Sequence, residues 1–165
     1  FPRLMSRLMT YASDEDEAAT WELSRRWHAD MLRHYIADGA RQRIGWHREQ
    51  GHHVAIVSAA TPYAVRMVAE DLGCADAFLA TRLEVVDGRF TGAVIEPACY
   101  GAGKVTLTRA YAADNGIELA GSYFYSDSAS DLPLLEAVGH PVAVNPDRRL
   151  ARIAAARGWE VTRFY

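Results

Sequence analysis

Asp127 and Asp131 stand four residues apart in "SYFYSDSASDLPLLE", framed by serines and alanine, where an aromatic run stops and an apolar stretch begins. Two chemistries fit that pattern. Asp and Ser ahead of a helical stretch are N-cap residues that satisfy free backbone N–H groups. Paired carboxylates are also hard oxygen donors suited to a divalent cation. Lys104, in "CYGAGKVTLTRAYA", is the second candidate. The chain has eighteen basic residues, of which seventeen are arginine, so Lys104 is its only lysine. A compact ammonium differs chemically from a planar guanidinium. Lys104 also sits at a glycine-flanked helix entrance, where amide donors and the dipole favour an anion. "GAGK" lacks the longer glycine spacing and the following Ser/Thr of a nucleotide-binding P-loop. Ser58, ending "HVAIVS", is the third candidate. A hydroxyl and backbone amides beyond a strand can cradle phosphate or carboxylate, and the same serine can cap the helix that Pro62 begins. "VSAAT" has no nucleophile-elbow glycines, so Ser58 is not read as a nucleophile.

The elements that must position these residues alternate. Residues 18–36 carry Trp21, Leu23, Trp27, Met31, Leu32, Tyr35 and Ile36 at roughly helical spacing, after the acidic "SDEDE". "GARQRIGWHREQGH" reads as a second helix, "HVAIVS" as a buried strand and "TPYAVRMVAEDLG" as a helix with Pro62 in its first turn. "FLATRLEVVDGRFTGAVIE" contains a hairpin turning at Asp87-Gly88. "GKVTLTRAYAADNG" is helical, "SYFYS" a strand, "DLPLLEAVG" a helix, "PVAVN" a strand and "DRRLARIAAARG" a helix. "WEVTRFY" closes as an edge strand. This order predicts an α/β fold, a mainly parallel Rossmann-like sheet with helices on both faces in three layers. Ligands of such sheets sit beyond the carboxyl ends of the strands, where Ser58 and Asp127 fall.

Bulk properties exclude several classes. Half of the 165 residues are hydrophobic, about a quarter are charged and the net charge is −3. That is one globular domain, or one with a small appendage, and no nucleic-acid or anionic-membrane partner. No apolar run approaches the ~20 residues that span a bilayer. Cys74 and Cys99 have no zinc-type spacing and read as buried free thiols in a reducing compartment, which points to the cytoplasm. No histidine pair has metalloprotease spacing. His28, His34 and His47 are read as solvated or partly buried surface, and His52 and His53 as turn residues.

The ordered set Ser58, Lys104, Asp127 and Asp131 resembles the haloacid dehalogenase-like hydrolases, on the branch that includes phosphoserine phosphatase-like enzymes. "VAIVSAA" is similar to that family's second motif, "GAGK" to its third and "YSDSASDLPLLEAVG" to its fourth. "VAVNPDRRL" looks like the stretch that follows. The resemblance covers residues 40–165, and the earlier helices resemble part of the family's helical cap loosely. It implies residues 1–38 as a cap remnant with its connection, and residues 39–165 as the core.

The resemblance also implies a Mg²⁺-dependent phosphatase of small phosphorylated metabolites, phosphoserine among them, working through an aspartyl-phosphate. Asp127 would ligate Mg²⁺, and Asp131 would ligate it or orient its water shell. Ser58 with the Ala59 amide would hold phosphoryl oxygens, and Lys104 would neutralise charge on phosphate and nucleophile. The family's first motif, an apolar strand into Asp-x-Asp-x-Thr, is absent. Its nearest text is "YASDEDEAAT", where Asp14 and Asp16 read as a solvated helix entrance. The missing strand should lie between "HVAIVS" and "SYFYS", so the nucleophile is expected upstream of Phe1. The alternative is a catalytically inactive phosphatase-like fragment or anion-binding module. A phosphoaccepting receiver domain fits less well, because the hairpin has no place in that layout.

Overall fold

The computed structural model describes residues 13–75 and 77–165. The first twelve residues of the expected cap remnant lie outside this range. Helix α1 (Glu17–Asp30) begins where the Asp16 carboxylate accepts a hydrogen bond from the Ala19 N–H at 2.8 Å. Asp14 and Asp16 are both exposed, the second as an N-cap. The helix expected through residue 36 ends early. The backbone leaves helical geometry at Met31 and continues as a short 3₁₀ turn, Leu32–Tyr35, packed against α1 and the later helix Pro62–Asp71. Tertiary packing here overrides a continuous apolar periodicity. It also splits the expected apolar face. Trp21 packs edge-to-face on Tyr63, whereas Leu23, Trp27, Met31 and Tyr35 are exposed.

Helix α2 (Asp38–Glu49) leads through Gly51 into β1 (Ile56–Val57), and α3 (Pro62–Asp71) follows with Pro62 at its start. Strand β1 is shorter than "HVAIVS" because it pairs on one side only, in parallel with β2 (Phe78–Leu79). Backbone bonds from Ser58 to Leu79 and from Thr81 to Ala60 extend that ladder to the end where Ser58 sits. Strands β3 (Leu83–Val86) and β4 (Arg89–Val94) form the antiparallel hairpin. Both turn residues, Asp87 and Gly88, have positive φ, as a two-residue hairpin requires. Helix α4 (Ala102–Asp114) carries Lys104 and leads to β5 (Tyr123–Ser126).

Helix α5 (Leu132–Leu135) is much shorter than "DLPLLEAVG". The chain must turn back so that β6 (His140–Val144) enters in register with β5, Tyr123 opposite His140. Gly139 runs so close under Ala120 that a Cβ would lie 1.7 Å from the Ala120 carbonyl oxygen. Helix α6 (Arg148–Arg157), capped by Asp147 and ended by Gly158 in a left-handed conformation, precedes β7 (Glu160–Thr162) at the edge of a parallel β5-β6-β7 ladder.

Two parallel ladders therefore carry the fold, each over its own apolar cluster. Ala69, Cys74 and Ala77 are buried beside β1 and β2, and Leu135, Ala143, Leu150 and Ala154 beneath β5 and β6. Among the described residues no strand joins β1 to β5. No described helix is long and apolar enough to cross a membrane.

His47 departs from the expectation of a surface histidine. It is buried, with Nδ1 2.9 Å from His52 Nδ1 and Nε2 2.7 Å from the Tyr125 hydroxyl. Burial, then the nearby His52 and Arg43, hold it below the usual imidazole value of 6.5. The unfolded chain therefore binds more protons, and stability falls as pH drops below 6.5 toward the folded value. Thermal unfolding midpoints should decline over that window in the native protein. The decline should flatten in His47→Gln, and an unchanged slope would remove His47 as its source.

Candidate active site

The candidate site lies beyond the carboxyl ends of β1 and β5. At the first, the Ser58 N–H donates to the Leu79 carbonyl, and the Ser58 hydroxyl accepts from the Ala60 N–H at 3.2 Å. The turn leaves the Ala59 N–H without a partner among the described residues. A hydroxyl and a free amide on one turn make a small anion cradle.

Lys104 enters from the first turn of α4. Gly103 permits this, because a Cβ there would lie 2.1 Å from the Ala98 carbonyl oxygen. The loop before the helix is held by the Cys99 N–H donating to the buried Thr81 hydroxyl at 3.1 Å. The Lys104 side chain is only 6% exposed, and Nζ donates to Asp131 Oδ1 at 2.6 Å. An ammonium in so dry a place requires a charged partner. The ammonium also lies 6.0 Å from the centre of the Phe124 ring on β5.

The two aspartates have different situations. Asp131 occupies the cap position of α5, yet its side chain makes no cap bond. Its second oxygen instead accepts from the Ser126 hydroxyl at 2.8 Å. Asp127 is exposed, and its carboxylate has no partner among the described residues. Its backbone is nevertheless held, since its carbonyl accepts from the Asp147 N–H at 2.8 Å. The Asp147 carboxylate accepts from Ala129, Arg149 and Leu150, and so ties the aspartate loop to the start of α6. Hydrogen bonds from Ala129 and Leu150 hold Asp147 below the usual carboxylate range.

Thr81 links the two halves of the site: its N–H donates to the Ala60 carbonyl at 2.9 Å, and its hydroxyl accepts from the Cys99 N–H of the loop that leads to Lys104. Burial raises the Cys99 thiol, and the nearby Lys104 ammonium pulls it the other way. The structure brings Lys104 and Asp131 into direct contact, and joins the Ser58 turn to the Lys104 loop through Thr81. Ser126, Asp147 and Cys99 were not picked out as site residues. Ser126 adjoins Asp127 in the quoted motif and was legible as a small polar residue there, whereas nothing in the sequence marks Cys99.

As metal ligands, Asp127 and Asp131 offer the hard oxygens that Mg²⁺ takes. Among the described residues no three His, Cys, Asp or Glu side chains converge to form a cage. Two carboxylates nevertheless suit Mg²⁺, which keeps several waters and is commonly held by one or two carboxylates plus substrate phosphate.

Residues 2–136 match the haloacid dehalogenase-like hydrolase family. A probable phosphatase of Mycobacterium tuberculosis is 39% identical over 162 residues, covering 98% of this chain and 56% of that protein. A phosphoserine phosphatase of the same organism is 39% identical over 136 residues, or 82% of this chain and 44% of that protein. The chain thus spans about half the length of these relatives. A solved Bordetella pertussis protein of unknown function superimposes with a TM-score of 0.90 at 31% identity, over 99% of this chain and 74% of that one. Fold, motif order and relatives agree: the chain belongs to the haloacid dehalogenase-like hydrolase family, on its phosphoserine phosphatase-like branch.

Proposed function

We propose that the chain is part of a Mg²⁺-dependent phosphomonoester hydrolase that acts on small phosphorylated metabolites, with phosphoserine the first substrate to test. The observation that carries this reading is the Lys104–Asp131 contact at 2.6 Å, with the exposed Asp127 carboxylate on the same loop. A buried cation and an open carboxylate at a strand end suit a polyanionic group bridged by a divalent ion.

In this reading the Ser58 hydroxyl and the Ala59 N–H donate to two phosphoryl oxygens. Lys104 Nζ has three donors, one spent on Asp131, and turns the others to the phosphate and the attacking carboxylate. That is charge stabilisation by a preset donor. Asp127 would ligate the ion, and Asp131 would ligate it or orient its water shell. Bound Mg²⁺ supplies charge neutralisation for the phosphoryl group.

The nucleophile is an aspartate outside the described residues, on a strand that enters between β1 and β5. Residues 39–165 then form the core and residues 1–38 part of a cap. Among the described residues β1 and β5 each have an unpaired edge, which supports this placement, since backbone groups there remain to be paired. The carboxylate attacks phosphorus as the ester P–O bond breaks, the leaving alkoxide takes a proton from water, and a second water then attacks the aspartyl-phosphate to release inorganic phosphate and restore the carboxylate. The buried free thiols of Cys74 and Cys99 suit a reducing compartment such as the cytoplasm.

Hydrolysis of an aryl phosphate by the longest natural form of the protein is the test. Turnover should require Mg²⁺ and stop when the ion is chelated. Turnover that survives complete chelation sinks the assignment, and phosphate binding without turnover supports an anion-binding module instead.

A further inference from the structure

We propose that Ser126 is a positioning residue that sets the plane of the Asp131 carboxylate, and through it the metal and Lys104. This rests on reading Asp127 and Asp131 as the metal pair. Ser126 ends β5 after three aromatic residues and is buried at 7% exposure. A hydroxyl gains nothing from burial unless it is hydrogen-bonded. Here both of its capacities are used. Its oxygen accepts from the Ser128 N–H at 3.2 Å, and its one proton goes to Asp131 Oδ2 at 2.8 Å. The amide thus helps to aim the proton at the carboxylate.

The geometric consequence lies in the number of holding points. Lys104 Nζ grips Oδ1, at 2.6 Å, and Ser126 grips Oδ2. One contact lets a carboxylate pivot about it, whereas two define its plane. Each oxygen retains a second lone-pair direction, so the clamped group can still ligate an ion or accept from its water, at a fixed angle. Without the hydroxyl, Asp131 pivots about the ammonium, and both the ion and Lys104 lose their set positions. Ser126 touches no reacting atom in this account, so its effect passes through Asp131.

Ser126→Ala, Ser126→Cys and Ser126→Thr in the longest natural form test this. Turnover of an aryl phosphate and Mn²⁺ binding by electron paramagnetic resonance are the two readouts. Partners that orient metal ligands typically contribute about 10–100-fold. Ser126→Ala should therefore lower kcat by roughly that factor. KM should stay within about threefold, since the Ser58 turn is untouched, and Mn²⁺ affinity should weaken about tenfold. Ser126→Cys, similar in shape but a weak donor, should behave as the alanine variant and replaces it if that one does not fold. Ser126→Thr, which keeps the hydroxyl, should recover most of both readouts.

Wild-type kcat and Mn²⁺ affinity in the alanine or cysteine variant would overturn the proposal while leaving the phosphatase reading intact. A threonine variant as impaired as alanine would also overturn it, because shape and not the hydroxyl would then matter. A native protein that neither binds Mn²⁺ nor turns over phosphate would overturn both readings.

Discussion

Lys104→Met is expected to lower phosphatase turnover by about 10²–10³ and to destabilise the fold. Two effects combine. The substitution leaves the Asp131 carboxylate, itself 13% exposed, with Ser126 as its one side-chain donor. Breaking a buried ion pair by removing one partner costs about 3–5 kcal/mol, and the partial exposure of Asp131 places the loss toward the lower end. The catalytic loss is separate. Removing a preset donor to developing charge costs about 10²–10³ in rate. Lys104→Arg separates the two effects. It keeps a charge for Asp131, but the planar fork cannot replace a point charge between two anions in a space that admits only 6% exposure. Its turnover should fall strongly while thermal stability recovers in part. Wild-type rates in Lys104→Arg would demote the lysine to a structural counter-ion.

Asp127→Ala should lower turnover more than about a hundredfold, since even groups one step removed from a metal contribute 10–100-fold. Its stability should stay within about 0.5 kcal/mol of native, because an exposed carboxylate without a partner among the described residues holds nothing in place. Asp131→Ala makes the comparison. It strands the Lys104 ammonium at 4% residue exposure and should cost stability as well as activity. Kinetics and thermal unfolding on both variants read this difference directly. An Asp127→Ala protein with native turnover would remove that residue from the site.

The motif order was legible because it depends on local chemistry. Pro62 opens α3, Asp87-Gly88 turns the hairpin, Asp147 caps α6 and Gly158 ends it, each through the conformational preference of its own residue type. Alternation of β-branched or aromatic runs with helical runs was enough for the α/β class. Element lengths were less legible. "DLPLLEAVG" has the apolar pattern of a longer helix, and only the register of β6 against β5 shows why the chain must turn back after Leu135. The split of the α1 face between Trp21, packed on Tyr63, and the exposed Leu23, Trp27 and Met31 is equally a matter of what lies opposite.

The sequence by itself determined which residue types stand at the strand ends: Ser58, the only lysine, and two aspartates four apart. It could not say which aspartate meets the lysine, because cap and counter-ion are written with the same letters. The tertiary structure decided that. It buries Lys104 against Asp131, brings Ser126 to the second oxygen of that carboxylate and leaves Asp127 facing outward. The physical reason is that Lys104 and Asp131 are 27 residues apart on different elements. Their contact exists only once α4 packs against α5, and local propensity carries no information about a meeting at that range.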